Sequence, residues 1–351
     1  MNEISTTTLG DLIEFQRGYD LPKSEFNFGR IPVISSNGIL GYHDEYKVTG
    51  PGITIGRSGT VGLPHFINEN FFPHNTSLFV KDFKGNDPKY IFYLLKTLGL
   101  QSQKSGSGVP TMNRNHLHPL KVLAHLNIDE QKKIAAVLSA LDAKIELNNR
   151  INAELESLAK TIYDYWFVQF DFPNADGKPY KSSGGKMVYV EEGKGDRAIP
   201  VGWEIGRVSD LFEINPSETL SKGTLSTYID MSAIPTSGFM TGEIQYKQFN
   251  GGMKLRNGDV VIARITPCLE NGKTGLITLL KDNEIGFGST EFIILRGKNR
   301  SLSSFAACLS RSISFRNFAI SNMTGTSGRK RVDAKAIERF SIPLPEDGLI
   351  S

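Results

Sequence analysis

The chain has 351 residues, 39% hydrophobic and 22% charged, with 35 glycines, 16 prolines and a formal net charge of +3. This is the composition of an ordinary globular protein long enough for two cores, and it excludes disordered, collagen-like and disulfide-framework chains. No apolar run approaches a membrane span, the opening MNEISTTTLGDL lacks both parts of a secretory signal, and Cys268 and Cys308 are expected as free thiols of a cytoplasmic protein.

Residues 1–126 alternate short β-type runs with turn signals: IPVIS (31–35), GITIG (52–56) and SLFVKDF (77–83) predict strands. PKYIFYLLKTLG (88–99) predicts a short helix, with proline at its start and glycine at its end. A Ser/Gly-rich loop, residues 102–120, completes one mixed α and β domain.

Residues 128–168 predict one long amphipathic helix. Ile134, Leu138, Leu141, Ile145, Asn148, Asn152, Leu155, Ala159, Ile162 and Trp166 recur at alternating steps of four and three, the seam of a coiled coil. Asn127 with Glu130 forms a capping box at its start, and Glu146–Arg150 and Glu156–Lys160 are acid-before-base pairs suited to an exposed face. Such a helix would be about 60 Å long. Leu147, Ile151 and Leu158 widen the apolar arc beyond what one neighbouring helix covers, so two contacts are expected, a helix of similar length and another protein surface. The competing reading is a core helix of one globular domain.

Residues 171–198 are dense in Gly, Pro, Lys and Ser and read as a linker, with a small hairpin around MVYVEE. A second domain, 199–351, then repeats the first in outline: LGDLIEFQRG (9–18) matches VSDLFEINPS (208–217), and GPGITIGRSGTVG (50–62) matches NGDVVIARITPCLENGKTG (257–275). PHNTSLFV (73–80) matches GSTEFIILR (288–296), and PKYIFYLLKTL (88–98) matches LSSFAACLSRS (302–312). Finally SGSGVPTMNRNHLHPLKV (105–122) matches GTSGRKRVDAKAIERFSI (325–342), with Leu117 opposite Ile337. Five matches in one order indicate domain duplication. The fold class predicted is α+β, two mixed α/β domains (1–126 and 199–351) joined by one long coiled-coil-type helix (127–170).

FQRGYDLPK (15–23), GPGITIGRSGTVG, VPTMNRNHL (109–117) and EQKKIAAVLSALDAKIELNNRIN (130–152) resemble the first half of the specificity subunits of type I restriction-modification enzymes. YIDMSAIP (228–235), RNGDVVIARITPCLENGKTG (256–275), GSTEF (288–292) and MTGTSGRKRV (323–332) resemble the second half. The resemblance covers essentially the whole chain. It implies a non-catalytic DNA reader with two target recognition domains, each binding half of a split site in double-stranded DNA. The helical region would space them and dock two adenine methyltransferase subunits, which recruit motor-nuclease subunits. S-adenosylmethionine, ATP and Mg would belong to those partners, with no cofactor in this chain. Family members carry a second long helix antiparallel to the first, whereas here Ile342 to Asp347 occupy the place where it would start and the sequence stops at Ser351. A truncated product, a fragment completed by another chain and a homodimer through the unpaired helix are all consistent with that.

Base edges are read by side chains that present paired donors or an amide, and phosphates are held by cations, hydroxyls and backbone amides. On this chemistry the candidate DNA contacts of the first domain are Arg57, Ser58, Thr60, Asn75, Ser105, Ser107, Asn113 and Arg114. Those of the second are Arg264, Thr266, Asn271, Lys273, Ser327, Arg329, Lys330 and Arg331. Any one of them could equally be a turn residue or a solvated charge, so the sets carry the expectation. The partner-docking candidates are Ile134, Leu138, Leu141, Ile145, Leu147, Ile151, Leu155, Leu158 and Ile162.

No catalytic or metal-ligating residue is expected. His116 and His118 lack accompanying ligands and read as surface histidines; Tyr19, Phe66, Phe71 and Phe72 could stack on a base but read first as core. PCLENGKT (267–274) departs from a phosphate-binding loop where Pro267 replaces the first glycine, and no Asn/Asp-Pro-Pro-Phe/Tyr tetrapeptide of amino-methyltransferases occurs. Two rival readings remain at this point, a piece of a fused methyltransferase-nuclease and an inactive competitor that sequesters methyltransferase subunits.

Overall fold

The computed structural model describes residues 4–102, 111–192, 195–326 and 328–345. The chain divides into two compact units, Met1–Asn148 and Asn149–Ser351.

In the first unit β1 (Ile4–Thr8) leads through α1 (Leu9–Leu12) into β2 (Glu14–Arg17), followed by β3 (Ile31–Ser35), β4 (Gly38–His43), β5 (Gly52–Gly56), β6 (Pro64–Ile67), β7 (Phe72–Pro73) and β8 (Ser77–Asp82). α2 (Pro88–Thr97), α3 (Arg114–Leu117) and β9 (Lys121–His125) complete it before α4 (Ile128–Tyr163). β9 returns antiparallel to β1, from Ile4 opposite His125 to Thr8 opposite Lys121, so the two ends of the domain close on each other. The main sheet has the order β2-β8-β5-β6, and a smaller one the order β4-β3-β7. The central strands are buried on both faces over most of their length: Phe15, Ile53, Ile55 and Leu78 lie in the core beside the buried polar Thr54 and Ser77, as do Ile91 and Leu95 of α2. Truncating any one of these apolar side chains to Ala would cost roughly 2–5 kcal/mol. α2 starts where expected because Asp87 accepts the Tyr90 N–H (2.9 Å) and Pro88 follows it at the first helical position.

The second unit opens with the hairpin β10 (Met187–Glu192) and β11 (Gly195–Pro200), then β12 (Glu204–Arg207), α5 (Val208–Leu211), β13 (Phe212–Ile214), β14 (Leu225–Ile229), β15 (Gln245–Gln248) and β16 (Met253–Leu255). β17 (Val260–Ala263), β18 (Thr274–Leu276), β19 (Gly286–Gly288), β20 (Phe292–Gly297), α6 (Leu302–Arg311), α7 (Ile313–Ser321), β21 (Met323–Thr324), β22 (Arg331–Val332), α8 (Ala334–Glu338) and β23 (Ser341–Leu344) follow. The duplication is explicit in the topology. β12 pairs antiparallel with β23 as β1 does with β9, and the order β13-β20-β17-β18 repeats β2-β8-β5-β6. Leu117 of α3 and Ile337 of α8 are both buried at corresponding places.

Residues 171–198 differ from the expected linker. Phe172 stacks on Tyr180 (ring centroids 4.8 Å apart) and on Trp203 (5.1 Å), and the hairpin β10–β11 pairs along its length from Met187 opposite Pro200. The aromatic anchors outweigh the Gly/Pro/Lys composition, and the segment is sewn into the second core.

α4 is continuous for 36 residues and ends in a single π-helical turn, Asp164–Val168. Asn127 caps it as expected, accepting the Asp129 and Glu130 N–H groups at 2.8 and 3.2 Å, while the Glu130 carboxylate receives Lys133 Nζ at 2.8 Å. Its first turns belong to the first unit. Gln131 is fully buried: its amide donates to Asn86 Oδ1 and the His125 carbonyl (both 2.7 Å) and its Oε1 accepts the Asp87 N–H (2.8 Å). Its last turns belong to the second unit, where Tyr163 and Phe167 enter the core. Glu156 was expected to pair with Lys160 on an open face. Instead its Oε1 accepts the N–H groups of Phe239 (2.9 Å) and Met240 (3.3 Å).

Candidate nucleic-acid interface

In the first unit three segments meet at Arg57, the residue that follows β5. Its N–H donates to the Thr76 carbonyl (2.8 Å), its carbonyl accepts the Met112 N–H (2.8 Å), and Ser58 bridges to Thr111. Only glycine fits at residue 56, where a Cβ would lie 1.8 Å from the Thr60 carbonyl oxygen, so the turn Gly56–Gly62 folds tightly back on itself. The Arg57 guanidinium is thereby set in an open depression lined also by Gln16, Arg17, Tyr19, Asp20, Asn113 and Arg114. Of its donors, Nη1 reaches the Asn75 carbonyl at 3.4 Å.

The second unit builds the same junction. Arg264 follows β17; its N–H donates to the Glu291 carbonyl (2.9 Å), its carbonyl accepts the Val332 N–H (3.0 Å), and Ile265 bridges to Arg331. Arg57 and Arg264 are therefore equivalent, as are Thr76 and Glu291, Thr111 and Arg331, and Met112 and Val332. Asn113 and Asp333 correspond too, because each caps the short helix that follows, accepting the N–H of Asn115 (3.0 Å) and of Lys335 (2.8 Å). The second junction is richer in charge. Arg331 Nε and Nη2 form a fork on the Glu291 carboxylate at 2.6–3.0 Å, which holds that carboxyl below its ordinary pKa. Arg329 and Lys330 are exposed beside it.

The candidates expected from sequence distribute unevenly. Arg57, Asn113 and Arg114 line the first depression, with Ser58 half-buried and Thr60 exposed on the adjoining turn. Asn75 turns its amide onto Asp20, which also takes Arg17 Nη2 at 3.4 Å. Asn113 spends its carbonyl oxygen on the helix cap rather than leaving the whole amide free. In the second unit Arg264, Thr266 and Arg331 converge, the Thr266 N–H donating to the Lys330 carbonyl at 3.0 Å. Lys273 is a correction: Nζ donates to the carbonyls of Met231 (2.7 Å) and Ile234 (3.2 Å), so it braces a loop. Asn271 lies exposed on a turn in which the N–H groups of Leu269, Asn271, Gly272 and Lys273 are taken by nearby carbonyls, its own by that of Pro267 at 2.9 Å. Ser105, Ser107 and Ser327 lie outside the described residues. Tyr19 was noted from sequence only as a possible stacking residue, and Gln16, Arg17, Asp20 and Glu291 were not singled out at all, because nothing local marks them. They reach the junctions through the pairing of β2 and β20 with their neighbours.

The histidines and aromatics resolve differently. His116 is exposed, but His118 is not a surface residue in function: its Nε2 accepts the Phe15 N–H at 3.0 Å, and burial lowers its pKa, so the ring is a neutral strut. Phe71 and Phe72 are core, Phe66 is half-buried, and Tyr19 alone stays exposed, packed edge-on against Phe72. Among the described residues no group of three or more His, Cys, Asp or Glu is arranged to hold a metal. No helix among them is long and apolar enough to cross a membrane.

The docking stripe on α4 also splits. Ile134 packs against the first core and Leu138 is half-buried, whereas Leu141, Ile145, Leu147, Ile151, Leu155, Leu158 and Ile162 are each 41–58% exposed. Every residue from 140 to 155 is open to solvent in the chain as described. Seven large apolar side chains on one helix in water form the kind of surface that marks an interaction site.

The model of the type I restriction modification DNA specificity domain matches this chain twice, over residues 1–157 and 200–349. A stretch of 153 residues, 42% of the chain, is 34% identical to the EcoAI type I restriction enzyme specificity subunit of Escherichia coli and spans 26% of that protein. A stretch of 151 residues, again 42% of the chain, is 29% identical to the MjaIX specificity subunit of Methanocaldococcus jannaschii and spans 32% of it. The chain thus matches about a quarter to a third of the length of these relatives. In fold it is similar to the crystal structure of a type-I restriction-modification system S subunit from M. genitalium, with a TM-score of 0.59 at 15% identity, over 99% of this chain and 86% of that one. With the domain matched in duplicate over most of its length, the chain belongs to the type I restriction modification DNA specificity family.

Proposed function

We propose that the chain is the DNA-reading specificity subunit of a type I restriction-modification system, each unit contacting one half of a bipartite site in double-stranded DNA. The observation that supports this most directly is the repeated junction around Arg57 and Arg264, two identical backbone frames that each present an arginine and different neighbouring side chains. In this reading residues 1–126 and 199–351 are the two target recognition domains. The exposed stripe of α4 docks two adenine methyltransferase subunits, through which motor-nuclease subunits join, and the chemistry together with its S-adenosylmethionine, ATP and Mg resides in those partners. The same stripe also suits pairing with a second copy of this chain.

The test is co-expression with the cognate methyltransferase subunit followed by mapping of methylated adenines. A split motif is expected, and exchanging residues 1–126 for those of a subunit with another specificity should change one half of it and spare the other. Binding to the methyltransferase without any defined motif would instead favour the competitor reading. Methylation indifferent to the exchange refutes the reading.

A further inference from the structure

Resting on the DNA-reading function proposed above, we propose that Arg331 reads a guanine in the half-site held by the second unit, with Glu291 as the positioning residue that aims it. An arginine has five N–H donors. Here Nε and Nη2 bond to the Glu291 carboxylate (2.6–3.0 Å) and Nη1 bonds to the Arg329 carbonyl (3.2 Å), which leaves one N–H on each terminal nitrogen. The side chain is 41% exposed, so the guanidinium remains accessible to a ligand from solvent. Two donors on one rigid planar edge match O6 and N7 of guanine in the major groove, the pairing arginine makes most often with a base.

The neighbourhood favours a base over a phosphate. Arg329 and Lys330 are exposed and adjacent, and are available as cations for the phosphate backbone. Glu291 lies against the same guanidinium and would repel a phosphate, whereas a carboxylate complements the N4 amino group of the paired cytosine. The fork also removes the rotamer freedom of Arg331 before DNA arrives, which lowers the ordering cost of binding. At the corresponding positions of the first unit stand Thr76 and Thr111, so the first junction is built on the same frame without this ion pair.

The experiment is selection of bound duplexes from a randomised pool by the full chain, followed by titration of the selected duplex with guanine replaced by 7-deazaguanine, which lacks the N7 acceptor. For the wild type one guanine is expected to be invariant, and 7-deazaguanine there should weaken binding about 10-fold or more. Arg331→Lys, which keeps the charge and loses the planar edge, should abolish the preference at that position and leave the other positions unchanged. Glu291→Gln should reduce the guanine preference several-fold while binding to random duplex tightens, a split that a merely structural role would not produce. Thermal unfolding of both variants checks that the unit folds, and 7-deazaguanine in the wild type tests the contact without any substitution. No motif from the wild-type chain refutes the DNA-reading function and the guanine contact together. A motif that Arg331→Lys leaves intact, a sensitive position that is not guanine, or an affinity loss spread evenly over all sequences overturns the guanine contact alone, the last placing Arg331 on phosphate.

Discussion

Substituting Glu156 by alanine separates two accounts of the long helix. If Glu156 were one member of a surface pair with Lys160, its removal would cost about 0.2–0.5 kcal/mol. In the fold its Oε1 instead accepts the backbone N–H groups of Phe239 and Met240 at 2.9 and 3.3 Å, and Phe239 is only 8% exposed, so its N–H would be left without an acceptor. Glu156 also faces Arg311, whose guanidinium donates to the carbonyls of Thr236, Gly272, Pro235 and Thr274. Burial lowers the pKa of Arg311 and the Glu156 charge opposes that shift. A hydrogen bond to a charged acceptor contributes about 1.5–3 kcal/mol, and the stranded N–H adds to the loss, so Glu156→Ala should cost about 2–3 kcal/mol. For a domain of this size that lowers the melting temperature of the second unit by roughly 5–10 °C. Differential scanning calorimetry should show the shift in the transition of the second unit, with Glu156→Gln intermediate and Lys160→Ala within about 0.5 kcal/mol of the parent. Equal small effects of Glu156→Ala and Lys160→Ala would refute the clamp and return this stretch of helix to a solvated face.

Three further outcomes follow from the same contacts. Lys273→Ala should destabilise the second unit by about 1–3 kcal/mol in urea unfolding, by freeing the carbonyls of Met231 and Ile234, without altering the methylation motif. Arg57→Ala should relax or erase one half of that motif and leave the other intact, as read by methylation mapping. Glu218, bonded to Arg256, and Glu291, bonded to Arg331, both have pKa values held below the ordinary 4.5, so their contribution to stability is present above that value and lost as pH falls through the folded values. Burial raises the Asp259 carboxyl and opposes this trend. Acid titration of the second unit should therefore show a stability loss that begins below about pH 4.5, and Glu218→Gln should flatten it.

The strands and the duplication were legible because they depend on local alternation and on turns: GITIG and its counterpart VVIA are buried on both faces, and the match of Leu117 with Ile337 fell on two core residues of equivalent helices. The arginine at each mouth was legible too, since the glycine-bounded turn after a strand is a sequence feature. What was not legible is tertiary. Gln131 looks like any polar residue in a first helical turn, yet it is fully buried and satisfied by partners around residues 86, 87 and 125. Phe172 and Tyr180 stand in a segment whose composition argues for a linker, and only the stack with Trp203 shows that they hold it down. Lys273 lies in a motif suited to DNA contact, but carbonyls from another loop take its charge.

If the two junctions are the DNA-reading sites proposed above, they explain how a chain of this kind can keep its architecture while its base contacts stay unreadable in its sequence. The frame is made of backbone groups: the N–H and carbonyl of Arg57 are both occupied, by Thr76 and Met112, and those of Arg264 by Glu291 and Val332. Backbone bonds of this sort place no demand on the side chains at 76, 111, 291 and 331, beyond keeping them outside the core. Threonine can stand where glutamate stands, and threonine where arginine does, with the strand ends and the capped helix that follows held in the same relation. Recognition then depends on which donors and acceptors the tolerated side chains present and on how they pair with one another, as Arg331 does with Glu291 across 40 residues of sequence. Such pairings are long-range and specific to one unit, so a repeat visible in the sequence predicts where the two equivalent junctions lie and leaves open which side chains each presents, and thus, on the function proposed above, what each would read.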